Sequence, residues 1–108
     1  VAGAEAIYKR FEALYPAEFT FFHAHANMDY ELGKYADAQP LQEKAFALSY
    51  GNNKLRAGYN LARLLKVQGK RKDAIAVAEK TLSEVKFPKD SAPRAAKQIQ
   101  KLIAELRG

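Results

Sequence analysis

The chain contains no cysteine, which excludes disulfides and thiolate metal sites. A cysteine-free chain folds equally well in the cytosol or the periplasm, so composition leaves the compartment open. No stretch approaches the roughly 18 apolar residues that a membrane-spanning helix needs. The opening Val1-Ala2-Gly3-Ala4-Glu5 is not a signal peptide, and no initiator Met precedes it, so the chain reads as a fragment or processed product of a longer protein. Glycines 3, 33, 51 and 69 are too scattered for a phosphate-cradling loop. No cofactor is implied.

What is present is enough for one core. The chain has 108 residues, 48% of them hydrophobic, with only four prolines and six glycines to interrupt it. The formal net charge is +6, unevenly spread. Residues 1–51 carry 4 Lys/Arg against 7 Asp/Glu, whereas residues 52–108 carry 14 against 5. The basic half favours an anionic partner; a solvated helical surface is the plainer account.

Apolar residues recur with helical period throughout, and no segment alternates with period two. Residues 4–15 place Ala4, Ile7, Tyr8, Phe11 and Leu14 on one face, and Pro16 ends that helix. Residues 17–32 follow with Phe19, Phe22, Ala26 and Tyr30. Residues 35–49 carry Tyr35, Ala38, Leu41, Ala45 and Leu48 as an inner stripe, with Pro40 predicting a later start or a modest kink. Asn53 is the expected cap of a helix over 54–68, which presents Leu55, Gly58 or Tyr59, Leu61, Ala62 and Leu65. Residues 71–85 present Ala74, Ile75, Val77, Ala78, Leu82 and Val85. Ser91 is the expected cap of a last helix through Ala95, Ala96, Ile99, Leu102, Ile103 and Leu106, with Pro93 in its first turn.

Two Gly-Lys turns, at Gly33 and Gly69, lie 36 residues apart, and the text around them repeats: Leu32-Gly33-Lys34-Tyr35-Ala36-Asp37-Ala38 against Gln68-Gly69-Lys70-Arg71-Lys72-Asp73-Ala74. A repeat of this length is one helical hairpin, which buries its apolar face by stacking on its neighbours. Small residues at Ala26, Ala38, Ala62 and Ala74 let the paired helices approach closely.

This pattern resembles the tetratricopeptide repeat. Phe22, Ala26, Gly33, Tyr35, Ala38 and Ala45 fit its first copy, and Leu61, Ala62, Gly69, Ala74 and Leu82 fit the second. Gly58 stands where that family has a large residue, with Tyr59 beside it to compensate, and Arg71 stands for the aromatic. The resemblance implies an all-α, right-handed superhelical stack of antiparallel hairpins with about six helices. It divides a single domain into a second helix of a partial repeat (1–16), repeats over 17–50 and 53–86, and a terminal capping helix (91–107). The stretch Ser49-Tyr50-Gly51-Asn52-Asn53-Lys54-Leu55-Arg56 is also similar to helical tails that follow thioredoxin-like domains in some bacterial proteins, which implies an accessory role in a cytoplasmic or periplasmic protein.

In such stacks the first helix of each hairpin lines the concave side. His23, Asn27 and Tyr30 lie there from one hairpin, Tyr59, Asn60, Arg63 and Lys66 from the next, and Arg94 and Gln98 extend the face. Asparagine and arginine offer donors to a peptide backbone or carboxylate, and the tyrosines add apolar contact. The set suits an extended peptide with an acidic residue or a free C-terminus. It resembles in part the carboxylate clamp of some tetratricopeptide proteins: Asn27, Asn60 and Arg94 match, while His23 and Asp90 stand near positions where the clamp has lysines.

The remaining chemistry is thin. His23 and His25 do not share a helix face. His25 and Asp29, at helical spacing, read as a surface contact rather than a metal or catalytic pair. Asp29, Glu31 and Asp37 form no defensible dyad, and Ser49, Thr81 and Ser83 have no evident base. Lys70-Arg71-Lys72, with Lys66, Lys86 and Lys89, lacks the aromatic interleaving of a nucleic-acid surface and reads as a solvated corner. The expectation is therefore a non-catalytic protein- or peptide-binding scaffold. The alternative is an accessory or oligomerisation domain that packs on an upstream domain of its own protein or on a second copy. That alternative predicts an uncovered apolar patch at Ile7, Phe11 and Phe19, or at Ile103 and Leu106.

Overall fold

A computed structural model describes residues 2–108, apart from the side chains of Ala2 and Lys89. Val1 and the Lys89 member of the basic cluster therefore lie outside the described residues. The described chain is all helical: α1 (Ala2–Leu14), α2 (Phe19–Glu31), α3 (Tyr35–Leu48), α4 (Gly51–Val67), α5 (Arg71–Glu84) and α6 (Arg94–Arg107), with a single 3-10 turn at Lys89–Ser91. No helix among them is long and apolar enough to cross a membrane. The chain divides into two compact units, Val1–Leu48 and Ser49–Gly108.

In the first unit α2 and α3 form a hairpin and α1 packs on α2. Pro16 pushes Tyr15 out of the helical region and ends α1. Glu18 then caps α2, its carboxylate accepting from the Thr20 amide at 3.4 Å and the Thr20 hydroxyl at 2.9 Å. At the other end Gly33, with φ +76°, lets the Gly33 amide reach the Tyr30 carbonyl and the Lys34 amide reach the Asp29 carbonyl. That double closure stops the helix and turns the chain straight into α3. Phe22, Ala26, Ala38, Ala45 and Phe46 are buried between the two helices' elements. Pro40 sits inside α3, which begins at Tyr35, so the expected later start does not occur.

The α1 expectation holds for Ala4 and Tyr8, which are half-buried, and is overturned for the rest of the stripe. Ile7, Phe11 and Leu14, assigned to the inner stripe, are 55%, 37% and 59% exposed. Glu5 and Glu12 join Ala4 and Tyr8 as the half-buried residues of α1. The reason is on α2: His25 and Asp29 are buried there, and α1 turns its polar side toward them.

In the second unit α4 and α5 form a hairpin and α6 packs on both. Gly69, with φ +79°, repeats the Gly33 closure: its amide reaches the Lys66 carbonyl, and the Lys70 amide reaches the Leu65 carbonyl. Leu55, Leu61, Ala62, Leu64, Leu65, Ala74, Ala78, Ala96, Ile99, Leu102 and Leu106 make the core. Gly58 is the point of closest approach. A Cβ there would collide with the side chain of Thr81, which is fully buried and donates its hydroxyl proton to the Val77 carbonyl at 2.7 Å. Gly58 is thus a crossing residue, and Tyr59 fills no gap in its place: it is half-buried, with the Arg63 guanidinium 5.7 Å from its ring centre.

Three boundary expectations shift. α4 starts at Gly51, so Asn53 lies in its first turn rather than at the cap. Ser91 belongs to the 3-10 turn, and α6 starts after Pro93. Pro93, at ψ 154°, is extended, which delays the helix to Arg94. Arg71, the departure from the repeat pattern, donates from Nε to the Leu106 carbonyl and so serves the last turn of α6. It is therefore not part of a purely solvated basic corner.

Candidate functional site

The structure gathers one constellation that the spacing of residues within α2 does not reveal. His25 is 3% exposed and Asp29 1% exposed, so the expected surface contact is a buried pair. One turn apart on α2, they place His25 Nε2 3.7 Å from Asp29 Oδ2. α1 supplies the rest. Glu12 Oε2 lies 2.7 Å from His25 Nδ1, Glu5 Oε1 lies 3.9 Å from His25 Nε2, and the Tyr8 ring stacks on the imidazole at 5.4 Å. Glu5, Tyr8 and Glu12 recur at three to four residues, so a single face of α1 wraps the histidine.

The Glu12 carboxylate can only accept, so Nδ1 carries the proton that bonds it. In the neutral imidazole the lone pair then sits on Nε2, which faces Glu5 and Asp29. Neither Nε2 nor Asp29 Oδ1 has a hydrogen-bond partner, although both are buried. Burial is the largest influence on Asp29 and holds its carboxyl above the usual 3.8; His25 and Lys34 pull it down, while Glu5 and Asp37 push it up. A cleft of about 350 Å³ opens onto this cluster, lined also by Lys9, Asp37 and Pro40. Pro40 has no amide hydrogen to give the Ala36 carbonyl, and both residues are on the cleft wall.

Against known proteins, the chain matches no family model and no curated protein. Its site rests on its own geometry.

The residues expected to bind a peptide are placed as follows. His23 is half-buried and accepts from the Gln42 amide at 3.4 Å, a contact inside the first unit. Asn27 and Tyr30 are half-buried, and Tyr30 meets Tyr35 edge-on at 5.4 Å. In the second unit Tyr59, Asn60 and Arg63 are half-buried and Lys66 is exposed. Lys66 Nζ lies 3.5 Å from Glu105 Oε2. Arg94 is exposed at the first position of α6, with Gln98 half-buried one turn on.

Proposed function

We propose that the chain is a non-catalytic, tetratricopeptide-like hairpin module that holds a protein or an extended acidic peptide, with α4 as its recognition helix. The observation that carries this reading is the division of labour on α4. Leu55, Gly58, Leu61, Ala62 and Leu65 are committed to the core, while Arg56, Tyr59, Asn60, Arg63 and Lys66 recur on the remaining face. Stacking on Tyr59 limits the swing of the Arg63 guanidinium, so less entropy is lost when it engages a carboxylate. The basic balance of residues 52–108 supports an acidic partner. The 36-residue offset carries His23 onto Tyr59, Asn27 onto Arg63 and Tyr30 onto Lys66, so the first repeat offers the matching positions. The test is capture from source-cell extract by the wild-type chain and by an Asn60→Ala/Arg63→Ala variant at low and moderate salt. Loss of a captured acidic protein in the variant supports the reading, and capture indifferent to both changes overturns it.

The outward strip of α1 supports a second reading. Ile7 and Leu14 are exposed on one side of α1, and Phe11 is partly so beside its stacking on Phe21, as an accessory domain packing on another domain of its protein or on a second copy requires. Phe19, also expected in the patch, is half-buried. The expected patch on the last helix is absent, since Leu106 is buried and Ile103 half-buried. Light scattering of wild type and Ile7→Lys over a concentration series decides whether the strip joins copies.

A further inference from the structure

The constellation around His25 is not needed for holding a peptide on α4, and it has the makings of a ligand site. We propose that the first unit binds a divalent transition-metal ion of the Zn²⁺ type, with Glu5, His25 and Asp29 as ligands and Glu12 as the carboxylate that orients the imidazole.

Four features carry this. First, the donor atoms converge: one ligand atom from each of Glu5, His25 and Asp29 lies within 4.8 Å of the other two. Ligands sharing an ion at about 2.0–2.2 Å sit about 3–3.5 Å apart. The remaining closure falls mainly to Glu5, whose side chain is 34% exposed. Second, the buried His25 and Asp29 face one another, and Glu5 Oε1, which also lies 3.9 Å from Lys9 Nζ, closes the third side. His25 Nε2 stands opposite Asp29 Oδ2 at 3.7 Å and Glu5 Oε1 at 3.9 Å, too far for hydrogen bonds, and Nε2 has no other partner. A cation satisfies all three at once. Third, Glu12 on Nδ1 supplies the carboxylate–histidine–metal relay that fixes the tautomer and raises ligand basicity. Fourth, the cleft gives an ion access and leaves room for water to complete its coordination.

The donor set selects the class. One imidazole nitrogen and carboxylate oxygens suit Zn²⁺, Mn²⁺, Co²⁺ or Ni²⁺, whereas Ca²⁺ and Mg²⁺ take oxygen alone. The competing occupant of Nε2 is a proton, which would make His25 an imidazolium paired with its carboxylates.

The experiment is isothermal titration of the chelator-stripped, tag-free chain with ZnCl₂, MnCl₂ and CaCl₂, with thermal melts of the same samples. The expected result is saturable one-to-one Zn²⁺ binding with a raised melting midpoint, and no response to CaCl₂ at equal concentration. Glu5→Gln and Asp29→Asn abolish the saturable phase, Glu12→Gln weakens it about 10–100-fold, and His23→Ala leaves it intact. Glu5 lies on the rim of the cleft, and circular dichroism of Glu5→Gln checks that the variant is folded. Absence of saturable Zn²⁺ binding by the wild-type chain overturns the proposal, as does binding that is lost in His23→Ala but kept in folded Glu5→Gln.

Discussion

His25 and Glu12, 13 residues apart and on different helices, are joined by a 2.7 Å contact between Nδ1 and Oε2. The contact ties α1 to α2 through polar atoms, beside the stacking of Phe11 on Phe21 at 4.9 Å. Replacing His25 by Ala leaves Glu5, Glu12 and Asp29 facing a void. Leaving the Glu12 carboxylate without its hydrogen-bond partner costs about 1–3 kcal/mol. Urea unfolding of His25→Ala checks this; a midpoint equal to wild type would show that α1 is held otherwise.

Asp29 gives a pH dependence of definite sign. Burial raises its folded-state pKa above the ordinary 3.8, so the folded state holds the proton more tightly than the unfolded one. The associated stability is present below pH 3.8 and is lost as pH rises through the folded value. Asp29→Asn removes that loss. In chelator-stripped protein the variant is therefore more stable than wild type at neutral pH, and its advantage shrinks toward pH 4. Denaturation curves between those limits measure it, and a variant less stable at pH 7 contradicts the sign.

Much of the second unit is legible from sequence for a physical reason. Its alanines and leucines fall at one helical period, and its apolar face is also its buried face. Gly33 and Gly69 are legible too, because a left-handed residue closing a helix selects glycine. α1 is not, because it carries two stripes: Ile7, Phe11 and Leu14 on one side, Glu5, Tyr8 and Glu12 on another. Which one faces inward depends on His25 and Asp29, and nothing local to α1 records them. The same gap hid the site: its four polar members come from two helices, and only the pair on α2 stands at a recognisable spacing. The cap assignments at Asn53 and Ser91 missed because Gly51 and Pro93 set those helix starts.

Gly58→Ala overpacks the α4–α5 crossing against Thr81. The expected cost is about 1–3 kcal/mol. Adding Thr81→Ala removes two of the three colliding atoms and recovers part of that loss. Equal stability of Gly58→Ala and wild type by thermal melt refutes the close crossing.

Gly69 tests the turn. Its φ of +79° is strained for any residue with a side chain. Gly69→Ala is expected to cost about 1 kcal/mol, and Gly69→Asn less, since asparagine tolerates the left-handed region better. The order of the two unfolding midpoints is the readout.

Lys66 separates folding from recognition. Its pair with Glu105 joins two side chains that are each about half exposed, so it contributes about 0–1 kcal/mol. Lys66→Ala should melt close to wild type while weakening capture of an acidic partner. A large stability loss would assign Lys66 to the fold.

The inward face of α1 means that the first unit has two kinds of joint. The α2–α3 seam is closed by alanine against helix, with Phe22 and Phe46 buried beside the His23–Gln42 contact. The α1 joint combines carboxylates around one imidazole with the stacking of Phe11 on Phe21. The same helix leaves Ile7 and Leu14 exposed. An ion held by Glu5, His25 and Asp29 would thus act on the one element that presents them to the outside.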